Sequence, residues 1–86
     1  MVLIGERKYK YGRMYLSHLV SDNLNELHEV ASALGINRKH FQDKKDKPHY
    51  DICQEKKKLA IRLGLAKEVD DREIIILFRN SKLNSF

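Results

Sequence analysis

Apolar positions along this chain follow two periods, and their alternation sets out the elements. Leu27, Val30, Ala31 and Leu34 recur at the i, i+3, i+4, i+7 spacing of one helix face. Asn23 and Glu26 precede them with capping-box spacing: the Asn side chain accepts an orphan backbone N–H and the Glu reaches back. Gly35 supplies the left-handed stop. The stretch DNLNELHEVASALG is therefore a first helix. A second is written in DICQEKKKLAIRLG, where Asp51 and Gln54 repeat the cap spacing. Ile52, Leu59, Ala60 and Leu63 share its face, the stem of Lys56 borders it, and Gly64 ends it. Lys56, Lys57 and Lys58 read as its solvated side. The third lies in VDDREIIILFR. The run IIILF alone also suits a buried strand, but Asp70 with Glu73 forms a third box, and Val69 with Ile74 has hydrophobic-staple spacing.

Short β-like segments separate these helices: Val2–Ile4, Met14–Val20, Lys39–Gln42 and Ala66–Val69. Strands alternating with helices predict an α/β fold, one small domain over 1–86. Its sheet would have three to four mostly parallel short strands, with three helices and right-handed crossovers. The polar, lysine-rich QDKKDKPHYD reads as a mobile loop whose end Pro48 holds extended.

Composition narrows the class. A chain of 86 residues, 42% hydrophobic and 34% charged, suits a soluble globular domain and argues against disorder. Cys53 is the single cysteine, so no internal disulfide forms and a reducing compartment is the simpler expectation. The opening MVLIGERKYK is too briefly apolar for a signal-peptide core or a membrane span. These features predict a cytoplasmic protein without a membrane partner. The net charge of +5 attracts phosphate, in nucleotides or in nucleic acid, or simply aids solubility.

Candidate chemistry gathers in two stretches, KYGRMYLSHLVSD and HYD. Strand alternation puts His18 on the side of Leu16 and Val20, as a site residue or as a core histidine satisfied by a carbonyl. Asp22 stands at the strand's carboxyl end, where open α/β sheets bind ligands; Ser21, Asp22 and Asn23 are also all good cap residues. In HYD, an extended backbone points His49 and Asp51 the same way, close to the second helix start that Asp51 would cap. Two parallel βα units would bring His18, Asp22, His49 and Asp51 to one cleft at the end of the sheet. Two histidines there suit acid–base work, with a carboxylate fixing a tautomer. Arg13, preceded by Gly12, offers a bidentate donor for phosphate, or is a turn residue. Tyr9, Tyr11, Tyr15 and Tyr50 are stacking surface or core edge. The donor types would suit a metal, but their spacings match no zinc pattern and Cys53 has no partner cysteine, so no metal is assigned.

The segments GRMYLSHLVSD, ELHEVASALGI, HYDI and LAIRLGLAKEVDDREI resemble a family of short bacterial and phage proteins classed as a domain of unknown function. The resemblance runs from about Gly12 to Arg79. It implies that Gly12, Arg13, His18, Asp22, His49 and Asp51 are signature positions, with Ser17 and Tyr50 inside the two motifs. It implies no activity. Gly64-Leu65-Ala66 departs from the Gly-Ala frequent in relatives, which affects a strand start and not the site.

The catalytic set is then His18, His49, Asp22 and Asp51, and the ligand-binding set Gly12, Arg13, Ser17 and Tyr50. The expected function is binding, with or without hydrolysis, of a phosphate-containing small molecule such as a nucleotide. A nucleic-acid-binding accessory protein is the alternative, with Arg7, Lys8, Lys10, Lys44, Lys45, Lys47 and Lys56 to Lys58 as its basic surface. A protein-interaction factor, docking through Ile75, Ile76, Leu83 and Phe86, is a third. Cofactor and oligomeric state are not fixed by the sequence.

Overall fold

The eight residues of β3 (Met14–Ser21) organise the molecule, because three other strands pair with them. The structure is a computed structural model describing residues 1–44 and 47–83, with side chains for all of these except Lys44 and 81–83. The other strands are β1 (Val2–Gly5), β2 (Tyr9–Tyr11), β4 (Gln42–Lys44), β5 (Lys47–Cys53) and β6 (Lys67–Val69). They form one six-stranded sheet in the order β4-β5-β3-β1-β6, with β2 also paired to β3. The helices are α1 (Leu24–Ala33), α2 (Gln54–Arg62) and α3 (Asp71–Leu83).

Alternation along the strands divides the core. On one face Val2, Ile4, Leu19, Tyr50 and Ile52 pack against Leu27, Val30, Ala31 and Leu34 around α1 and Ala60 of α2. On the other, Leu3, Val20 and Val69 pack against Ile74, Leu77 and Phe78 of α3. Each fully buried Leu or Ile contributes about 2 kcal/mol by leaving water. The N-cap bonds at α1 and α3 form: Glu26 N–H donates to Asn23 Oδ1 at 3.1 Å, and Glu73 N–H to Asp70 Oδ1 at 3.1 Å. The Glu26 side chain does not reach back but binds the Met1 ammonium at 3.2 Å, and Asn23 N–H donates to Ser21 Oγ at 3.1 Å. Gly35 and Gly64 take φ of 77° and 69°, the left-handed stops read from the sequence.

The sheet is not mostly parallel. β1–β3, β2–β3, β3–β5 and β4–β5 are antiparallel, and only β1–β6 is parallel among the described strands. The reason is local. Gly12 and Arg13 form a two-residue hairpin loop joining β2 to β3, and only Gly12 has positive φ, 62°, as a type II′ turn requires. HYD belongs to a seven-residue strand rather than to a loop and a helix start. Lys39–Gln42 is mostly a 3₁₀ turn, Arg38–His40, with β4 beginning at Gln42.

The strand break after β1 needs its own support. Glu6 to Lys8 leave the ladder before β2 re-joins β3. Lys57, buried on α2, donates to Gly5 O at 3.0 Å and pairs with Glu68 at 2.7 Å. Buried Ser17 donates to Arg7 O at 3.1 Å and accepts from Gln54 at 3.1 Å. These bonds satisfy carbonyls that the interrupted ladder would otherwise leave unpaired in the interior. Lys57 is therefore not part of a solvated face, whereas Lys58 is exposed. Among the described residues no helix is long and apolar enough to cross a membrane.

Candidate functional site

β3 and β5 run antiparallel with His18 directly opposite Asp51. Cross-strand partners share a face, and so do residues two apart, so His49 joins them from β5 and Gln42 joins from β4 opposite His49. This is the face on which α3 lies. α3 packs over Leu3 and Val20, however, so the cluster sits beside the helix rather than beneath it.

The distances define a connected set. His18 Nδ1 lies 2.7 Å from Asp51 Oδ1, and His49 Nε2 lies 3.5 Å from the same oxygen. Gln42 Nε2 donates to Asp51 Oδ2 at 2.5 Å. His49 Nδ1 is 2.7 Å from Lys47 O. A carbonyl can only accept, so His49 carries a proton on Nδ1 and turns Nε2 toward Asp51. The carboxylate likewise requires the Nδ1 proton on His18. The His18 and His49 rings meet edge to face with centroids 4.8 Å apart, and Tyr9 packs on the other ring contact of His18 at 4.7 Å. Three neighbouring strands, β3, β5 and β4, hold the cluster.

A cleft of about 610 Å³ opens above His18. Arg7, Lys47 and Arg79 supply positive charge around it, against Asp71 alone; Tyr9 and Phe78 supply aromatic walls. The Arg7 guanidinium lies 5.2 Å over the Tyr9 ring centre and 3.7 Å from Asp71, an exposed pair of little energetic weight.

The structure thus brings together His18, His49 and Asp51, but by strand pairing on a sheet face and not by helix starts at a sheet end. Asp51 does not cap α2; the N-cap is Cys53, without a side-chain bond. The other expected residues lie elsewhere. Asp22 is exposed and binds the Met1 ammonium at 3.0 Å, a bond that lowers the Asp22 pKa and raises that of the amine. Gly12 and Arg13 form the exposed hairpin loop. Ser17 faces the opposite side, supporting the strand break. Tyr50 is buried there too, its hydroxyl 2.8 Å from His28 Nδ1. Burial pushes the Tyr50 hydroxyl pKa up and holds His28 below its usual range, where the nearby Arg38 charge also acts. Lys45 of the basic surface and Phe86 of the apolar patch lie outside the described residues, as do the side chains of Lys44 and Leu83.

Gln42 of the cluster, and Arg7, Lys47 and Arg79 of the cleft, are residues that sequence reading did not assign to this site. Gln42 had one signal, a place two strand residues away from the Lys-rich turn, but its register with His49 is visible only once the pairing is known. Cys53 follows Asp51 by two and is a free thiol of intermediate exposure.

No curated protein and no solved structure matches the chain. A family model described as "Protein of unknown function (DUF4031)" matches residues 2–81, a span that includes the whole His18–His49–Asp51 cluster. The chain belongs to this family, DUF4031.

Proposed function

We propose that the protein binds a phosphate-containing small molecule, of nucleotide size, in the cleft above His18. The observation that carries this reading is the cleft's lining: three cationic side chains against one carboxylate, around a histidine, with aromatic walls. Arg7 and Arg79 are suited to phosphate oxygens by their planar forks, and Lys47 by its point charge. Tyr9 and Phe78 would cover the organic part of the ligand. A volume of about 610 Å³ lies within the range of small-molecule sites.

The His18–Asp51 pair gives the site an acid–base group. With its Nδ1 proton held by Asp51, His18 keeps a lone pair on Nε2, positioned by a rigid strand. Hydrolysis of a phosphate ester is the reaction such a pair would serve. The remaining described basic residues, Lys8, Lys10, Lys56 and Lys58 among them, are spread over other elements rather than gathered into a groove. That distribution favours a small ligand over a nucleic-acid strand.

The test is calorimetric titration with inorganic phosphate, AMP and ADP on the wild type, Arg7→Ala and His18→Ala. Binding by the wild type, weakened about ten-fold or more in Arg7→Ala, is expected from loss of one charge-assisted bond. No heat with any of the three at millimolar concentration contradicts the reading.

A further inference from the structure

We propose that His18, His49 and Asp51 bind a divalent first-row transition-metal ion, with Zn²⁺ as its simplest occupant. The donor atoms are His18 Nδ1, His49 Nε2 and Asp51 Oδ1. One potential ligand atom from each of the three residues falls within 4.8 Å of the other two. Two imidazoles and a carboxylate form a donor set suited to zinc and its neighbours rather than to magnesium or calcium.

The hydrogen bonds around the cluster are arranged for a cation. Lys47 O fixes a proton of His49 on Nδ1, so the nitrogen left to bind a metal is Nε2. That nitrogen faces Asp51 Oδ1, an acceptor, at 3.5 Å. Two acceptors held face to face by separate anchors repel unless a proton or a metal ion lies between them, and the 3.5 Å separation is longer than an ordinary N–H···O bond. Ligating histidines commonly have their second nitrogen bonded to a backbone carbonyl in this way. Gln42 takes the remaining oxygen of Asp51, which orients the carboxylate as an outer partner would.

The dimensions agree. Ligand atoms about 2.0 Å from a tetrahedral zinc stand about 3.3 Å apart, close to the 3.5 Å between His49 Nε2 and Asp51 Oδ1. The 2.7 Å between His18 Nδ1 and Asp51 Oδ1 is that of a hydrogen bond. On binding, the metal takes the place of the Nδ1 proton, the pair opens by about half an ångström to reach the tetrahedral spacing, and the ring proton resides on Nε2. Three protein ligands leave a fourth position, as in catalytic rather than structural zinc sites. His18 borders the cleft, so a water or a phosphate oxygen could reach that position. The proposal uses the same cluster as the phosphate reading but stands without that ligand, and it changes one role: with the ion bound, His18 Nε2 carries the ring proton and donates to a ligand instead of acting as the base.

Direct titration of tag-free protein decides it. Co²⁺ absorption and Zn²⁺ competition should report one ion per chain. His18→Ala and His49→Gln should each weaken binding at least 100-fold, and Gln42→Ala about ten-fold. Cys53→Ser and His40→Ala, both outside the donor set, should bind as wild type, and millimolar Mg²⁺ should not compete. Should His49→Gln fail to fold, His18→Ala carries the test, because that ring is about one-third exposed. Absence of binding with 1 mM Zn²⁺ or Co²⁺ overturns the proposal, as does binding that persists in His18→Ala or is lost in Cys53→Ser. Phosphate and nucleotide titrations repeated in EDTA separate the two readings: binding there with no metal site retains the cleft reading and removes this one.

Discussion

His18 and Asp51 are thirty-three residues apart in the chain, yet they are directly opposed across the β3–β5 ladder, with Nδ1 and Oδ1 2.7 Å apart. The bond is partly buried, so losing one partner leaves the other incompletely satisfied. Asp51→Asn and His18→Asn should each destabilise the fold by about 1–3 kcal/mol. The double variant should cost less than the sum, with a coupling of about 1 kcal/mol in a denaturant-based double-mutant cycle. Additive costs would show that the pair does not act as a unit.

Lys57 carries the interrupted strand. Its Nζ binds Gly5 O and pairs with Glu68, while its stem is enclosed. Lys57→Met should cost about 2–4 kcal/mol, because backbone carbonyls and a carboxylate lose their donor. Glu68 is nearly half exposed, so Glu68→Gln should cost under about 1 kcal/mol. Urea unfolding midpoints of the two variants measure the asymmetry.

His28 gives stability a pH dependence of known sign. Its folded-state pKa lies below the ordinary value because it is desolvated, with Arg38 adding repulsion. As the pH falls below about 6.5, the unfolded chain takes this proton first, so the contribution from neutral His28 is complete above that pH and declines below it. The Tyr50 hydroxyl donates to Nδ1 in the neutral form. His28→Asn retains an acceptor without titrating in this range. Its melting temperature should fall less than that of the wild type between pH 7 and 5.

Local chemistry was legible in the sequence, and pairing was not. Asn23–Glu26 and Asp70–Glu73 are contacts within four residues, so their spacing predicts them, and both caps form. Asp51–Gln54 has the same spacing but fails, because Lys47, His49, Asp51 and Cys53 alternate with Tyr50 and Ile52 in a strand that continues to Cys53. The period-two pattern was present; its charged and histidine positions made it read as loop. The three cluster residues were found because they are unusual in or beside apolar runs. Asp22 and Arg13 shared that property, but the first is a surface carboxylate and the second a turn residue.

That distinction is open to measurement. Arg13 lies in an exposed loop and does not line the cleft. Arg13→Ala should change stability by no more than about 0.5 kcal/mol. It should leave phosphate and nucleotide affinities within two-fold of wild type, while Arg7→Ala lowers them. An equal loss in both variants would move the anion site to the hairpin.

The most direct probe is long-range ¹H–¹⁵N NMR of the imidazoles during titration with AMP. His18 and His49 should show mutual ring contacts, consistent with centroids 4.8 Å apart, and their nitrogen resonances should shift together on a single isotherm while those of His40 stay fixed. Rings without mutual contacts, or resonances of both histidines that ignore saturating AMP, would contradict a ligand site at His18 that is coupled to His49.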